Sequence, residues 1–97
     1  METDSRNNTW PLMEEEVLII RYEDKLSFNF PYHFYEKHIE PMIRKGMIKP
    51  LRVSVSEGEY SKRVEIDLEP ESGAELRAWL LIKVIEDDSF FISEVGP

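Results

Sequence analysis

Leu76-Arg77-Ala78-Trp79-Leu80-Leu81-Ile82-Lys83-Val84-Ile85 is the most hydrophobic run in the chain, with eight apolar residues in ten. Side chains alternate across a strand, so an extended run would place Leu76, Ala78, Leu80, Ile82 and Val84 on one face. Arg77, Trp79, Leu81, Lys83 and Ile85 would then share the other. The β-branched residues after Leu81 and the Glu86-Asp87-Asp88 turn signal favour an inner strand, about 33 Å long at ~3.3 Å per residue. A buried helix is the alternative for any apolar run of this length.

Around this run the rest of the chain divides readily. Val17-Leu18-Ile19-Ile20-Arg21-Tyr22 reads as a strand, Glu23-Asp24 as a turn, and Lys25 to Phe30 alternates with Leu26, Phe28 and Phe30 on one face. Together these make a first hairpin. Tyr35, Ile39, Met42 and Ile43 then form one apolar stripe at helical spacing, which predicts a helix from about Pro31 to Lys45. Pro41 falls inside it, where the ring meets the carbonyl four residues back, so the helix must kink or restart there. Gly46 suits a left-handed cap and Pro50 forbids continuation. Leu51, Val53 and Val55, and then Val64, Ile66 and Leu68, alternate with polar residues and predict a second hairpin. Pro70-Glu71-Ser72-Gly73 reads as a turn leading to the hydrophobic run, and Ser89 to Val95 as a last strand closing a third hairpin.

The predicted order is ββαββββ, an α+β domain with a mainly antiparallel, curved sheet of five to six strands and one kinked helix on one face. A β-grasp-like sheet or a half-barrel would satisfy it. One helix covers only one face, so the second apolar face of a 76–85 strand requires a curled sheet, the Trp10-Pro11-Leu12-Met13 segment, or a second copy of the chain.

Ninety-seven residues suit one domain, and the division expected is a loose polar tail over 1–9 and a single domain over 10–97. There are no cysteines, so disulfides, thiolate catalysis and Cys-based zinc sites are excluded. No apolar run approaches the roughly 18 residues of a membrane span, and no signal-peptide pattern opens the chain, so a cytoplasmic protein is expected. The absence of glutamine beside 33% charged residues leans towards a thermophilic source.

The net charge of −8 argues against indiscriminate binding to nucleic acid or anionic membranes. It is unevenly spread, with net −5 over residues 1–36, +4 over 37–63 and −7 over 64–97. The basic middle contains Lys37, Arg44, Lys45, Lys49, Arg52 and Arg63, a candidate anion or nucleic-acid contact if Arg52 and Arg63 share a face near the helix C-terminus. The simpler role for these cations is to satisfy the helix dipole and pair with surplus acids. Glu65, Asp67, Glu69 and Glu71 alternate at about the spacing of phosphates along a DNA strand, but also as acids protecting an edge strand would.

No catalytic, nucleotide or metal signature stands out. His33 and His38 lie five apart, about 140° around a helix, so they do not chelate one ion as a pair four apart would. Asp in Glu86-Asp87-Asp88 fits turn chemistry. The expectation is therefore a non-enzymatic interaction module without cofactor, a homodimer or small subunit of a larger assembly. It would contact protein through an apolar sheet face or edge strand, with Trp10, Trp79, Leu81, Ile85 and Phe91 at the interface. A nucleic-acid-associated role for the basic segment is the alternative.

Overall fold

A computed structural model describes residues 12–59 and 61–96. Strands β1 (Glu16–Arg21) and β2 (Leu26–Pro31) form the first predicted hairpin, and β3 (Arg52–Glu57) with β4 (Lys62–Leu68) forms the second. β2 and β4 pair antiparallel, with Phe28 opposite Ile66 and Phe30 opposite Val64. These registers put Val17, Ile19, Phe28, Phe30, Val64, Ile66 and Leu68 on one face, and all seven are buried in one core cluster.

Helix α1 covers residues 32–44 and shows how the chain accommodates Pro41. An α-helical turn, Tyr32–Phe34, opens into a π-helical segment, Tyr35–Ile39, and the helix restarts as Glu40–Arg44 with Pro41 in its first turn. The Glu40 N–H bonds back to the Tyr35 carbonyl, one residue further than in an α-helix, and this wider turn makes room for the proline ring. Phe34 and Ile39 are its buried residues. Gly46 ends it at φ +76°, and the Met47 N–H reaches the Met42 carbonyl at 2.8 Å, so the predicted left-handed cap is made.

The run from Leu76 to Ile85 is not a strand. It belongs to helix α2 (Pro70–Glu86), which also absorbs the expected turn at Pro70-Glu71-Ser72-Gly73 as its first turn. Proline at the first position leaves no amide unsatisfied there, and Ala74, Glu75, Leu76, Arg77 and Ala78 are strong helix formers that carry the helix into the apolar run. Gly73, Leu76 and Leu80 are its buried residues, spaced three and four apart. A Cβ on Gly73 would lie 2.8 Å from Cβ of Leu26, so the glycine lets the helix lie close on β2.

The order is thus ββαββαβ, an α+β fold with two helices and a five-stranded mixed sheet, β3-β4-β2-β1-β5. The last strand, β5 (Phe91–Val95), closes no third hairpin. It pairs parallel with β1, Val17 opposite Ile92, on the far side of the first hairpin. The single-helix plan falls with the strand on which it rested, while the expected mainly antiparallel sheet of five strands is found, with β1–β5 as its parallel pair. Phe34 and Ile39 of α1 and Leu76 and Leu80 of α2 join the same cluster, so both helices cover one face of the sheet.

Candidate functional site

The opposite face of the sheet carries a polar network over β2, β3 and β4, with Leu18, Ile20 and Phe91 on the same face over β1 and β5. Asp67, 3% exposed, accepts from Ser27 Oγ at 2.6 Å, Lys25 Nζ at 3.2 Å and Arg52 Nε at 3.0 Å. Burial pushes its carboxyl up, but these three donors outweigh burial and hold it below the ordinary carboxylate value. Arg63 is buried at the other end of β4. Its guanidinium donates to the carbonyls of Met13, Glu16 and Asn29 and to the Asn29 side chain, and burial lowers its pKa despite the nearby Glu16. Glu16 accepts from the Met13 N–H at 3.0 Å and Ser93 Oγ at 2.6 Å, joining the chain's approach to β1 with β5.

This network engages two cations of the basic segment, Arg52 and Arg63. Arg52 and Arg63 do share the polar sheet face, as the hairpin pattern suggests, but Arg52 pairs with Asp67 and Glu65 while Arg63 is spent on backbone carbonyls. Arg44 pairs with Glu40 at 3.6 Å on α1, and it and Lys45 therefore lie on the other side of the sheet from Arg52 and Arg63. The structure does not bring these four into one patch. Lys37 and Lys49 are exposed, as is Lys45. The alternating acids do not line an edge either: β4 is an inner strand, Glu65 and Asp67 are ion-paired, and Glu71 lies in α2.

A shallow cleft of about 270 Å³ opens near Glu14, Tyr32, His33, Lys62 and Arg63. Lys62 Nζ sits 3.9 Å over the Tyr32 ring and Arg63 is held from within, so the two cations here already have partners. His38 packs between Phe34 and Trp79, with ring centroids at 4.7 and 5.9 Å. Burial lowers its pKa, Lys83 and Lys37 add to this, and Asp87 opposes it. Asp87 itself accepts from the Ser89 N–H at 3.0 Å, the turn chemistry expected of it. Among the described residues no group of three or more His, Asp or Glu side chains is placed to hold a metal ion, and no helix is long and apolar enough to cross a membrane.

Among the described residues, exposed large apolar side chains cluster in two places: Met47, Leu51, Val53 and Val55 on and before the edge strand β3, and one stripe of the helix α2. Leu81, Ile82 and Ile85 are 39%, 60% and 84% exposed, and Ala74 and Ala78 are exposed with them. At about 100° per residue these five positions fall within an arc of roughly 100° on the side of the helix away from the sheet. α2 is apolar on both its inner and outer sides. Beside the stripe, Met42, Met47, Ile48, Leu76 and Trp79 line an apolar groove of about 160 Å³ between the two helices, with Glu75 at its rim.

The expected interface residues divide among three places. Leu81 and Ile85 are on the outer stripe. Trp79 packs against the core on the groove side, and Phe91, 40% exposed, points from β5 to the polar sheet face. Trp10 lies outside the described residues. Ile82 was not singled out by alternation, which hides it behind Leu80, whereas the helical spacing 78, 81, 82, 85 finds it at once. Comparison with protein-family models, curated proteins and solved structures found no match to this chain.

Proposed function

We propose that this protein is a non-enzymatic interaction module that holds a protein partner on the outer face of α2. The observation that carries this reading is the exposure of Leu81, Ile82 and Ile85 in one stripe of a helix whose other side already fills the core. A helix needs only one apolar side to fold onto a sheet. A second apolar side adds nothing to the isolated domain and raises its tendency to associate, as contiguous exposed apolar patches do. This moves the contact surface from the sheet face to a helix face, and leaves either a second copy or a different protein as the partner class. Nucleic acid ranks second because the donors of Arg52 and Arg63 are engaged, which leaves Lys37, Lys45 and Lys49 as dispersed cations.

Site-specific photo-crosslinking tests the reading. A photoreactive residue at position 82 or 85 should give a discrete covalent adduct in extract of the source cells, while one at Asp24, exposed in the β1–β2 turn, should not. Equal adducts from all three positions, or none from 82 and 85, refute it.

A further inference from the structure

The outer stripe has a chemical setting that narrows its occupant. Glu71, Glu75 and Glu86 of α2 are all exposed beside it, and within the described residues none of the three forms an ion pair. Glu75 and Glu86 lie on the groove side of the stripe, about 60–80° from Ala78 around the helix. Of the cations of α2, Arg77, on the opposite flank, donates to Glu94 at 2.8 Å, and Lys83 lies on the side of the helix nearer α1, where its charge is felt by His38 and Asp87. The surface is an apolar ridge bordered by unpaired carboxylates.

Resting on the interaction-module reading, we infer that the partner is an amphipathic helix with a basic border, an apolar stripe flanked by Lys or Arg, lying along α2. The ridge from Ala74 to Ile85 is about 17 Å long at ~1.5 Å per residue, the length of three turns of a partner helix. Ala74 and Ala78 keep its first half low, so a second helix axis can come close there, while Leu81, Ile82 and Ile85 stand up as anchors in the second half. The groove beside Trp79 adjoins Ile82, three residues on, and receives one large side chain from the partner. Basic residues of the partner then meet Glu71, Glu75 and Glu86, which form no ion pair among the described residues.

A second copy fits less well. Two α2 helices packed antiparallel about a twofold axis set like flank against like flank, so Glu75 and Glu86 would face the same carboxylates of the other chain. Packed parallel, the acidic flank would meet the flank whose cation, Arg77, is already bound to Glu94. Each chain also carries a net charge of −8. Residues 1–11 of the chain itself, with two acids and one arginine, offer no complement.

Three labelled synthetic helices of 18 residues, titrated against the full chain by fluorescence anisotropy, test the inference. The first has a Leu/Ala stripe bordered by Lys and Arg, the second the same stripe bordered by Glu, and the third the basic border with its stripe replaced by Ser. The first should bind at least about tenfold more tightly than either of the others. Ile82→Glu with Ile85→Glu should weaken it about tenfold, and Glu75→Lys with Glu86→Lys should reverse the preference between the first two. The second pair alters only exposed carboxylates, so it keeps the test decisive if the isoleucine variants unfold. Equal binding of the first two peptides, equal binding of the Ser-stripe peptide, no binding, or a dimer in sedimentation that Ile85→Glu dissociates would each overturn the inference. Photo-adducts from position 82 without any peptide preference would leave the module reading standing and remove only the basic helix.

Discussion

Leu80→Ala and Ile85→Ala, made separately, distinguish the two ways of folding the run from Leu76 to Ile85. Leu80 is 0% exposed, packed in the core that α2 shares with the sheet, whereas Ile85 is 84% exposed on the helix exterior. Truncating a fully buried leucine removes its transfer free energy and leaves a cavity, at a cost of roughly 2–5 kcal/mol. A central value of about 3 kcal/mol lowers Tm by roughly 12–24 °C in a domain of this size, at ~4–8 °C per kcal/mol. Ile85→Ala removes almost no packing, and alanine is the better helix former by a few tenths of a kcal/mol, so stability should stay within about 0.5 kcal/mol or rise slightly. Urea and thermal melts followed by circular dichroism measure both. In a two-sided inner strand Leu80 and Ile85 would occupy opposite buried faces, and both truncations would be costly. A loss above about 2 kcal/mol for Ile85→Ala, or below about 1 kcal/mol for Leu80→Ala, would refute the helical packing described here.

Asp67→Asn removes the charge shared by Ser27, Lys25 and Arg52. Because the two cations remain partly solvated, the cost should be about 2 kcal/mol at neutral pH. The folded carboxyl titrates below its ordinary value, so this stabilisation is complete above the unfolded pKa of about 3.9 and is lost as pH falls through the folded value; melts of the two proteins should converge in acid. Gly73→Ala sets up to ~1 kcal/mol of helix propensity against the 2.8 Å approach to Leu26 and should destabilise by about 0–2 kcal/mol, while a clear gain in urea midpoint would deny the close contact. His38 should titrate below the usual ~6.5 by NMR. As pH falls through that ordinary value the unfolded chain takes up the proton first, so stability should decline towards the depressed folded pKa. His38→Gln should remove that part of the pH slope, and an unchanged slope would show that His38 is not its source.

The hairpins, the capped helix at Pro31 to Lys45 and its interruption at Pro41 were all legible from local pattern, because each rests on a signal contained within a few residues. Phe28/Phe30 and Val64/Ile66 alternate with polar neighbours, and alternation of that kind has one face to bury, while Val17 to Ile20 is a short apolar run bounded by acids and a turn. The 76–85 run has no such contrast. Its outward side is apolar as well, so neither a period of two nor one of 3.6 stands out. The strand reading followed from β-branched residues near its end, against the weight of Pro70, Ala74, Ala78 and the leucines between. With the wrong conformation, the residues that share a face are assigned wrongly. Surplus apolar area was expected on Leu81 and Ile85, and it is found there, but on a helix exterior and with Ile82 in place of Trp79.

The sequence by itself determined the alternating strands, the helix stop at Gly46, the acidic ends of the chain and the excess of apolar residues over what one helix and a sheet can bury, since each depends on composition or on neighbours within about one turn. The tertiary structure alone decided that β5 joins β1 in parallel, that Arg63 is consumed by carbonyls from three segments, and that α2 turns Leu76 and Leu80 inward and Ile82 and Ile85 outward. For a run apolar on every side, local propensity cannot choose which residues face the core. That choice is made by the sheet it packs on, where the glycine at 73 lets the helix settle against Leu26 and thereby sets which side is left facing water.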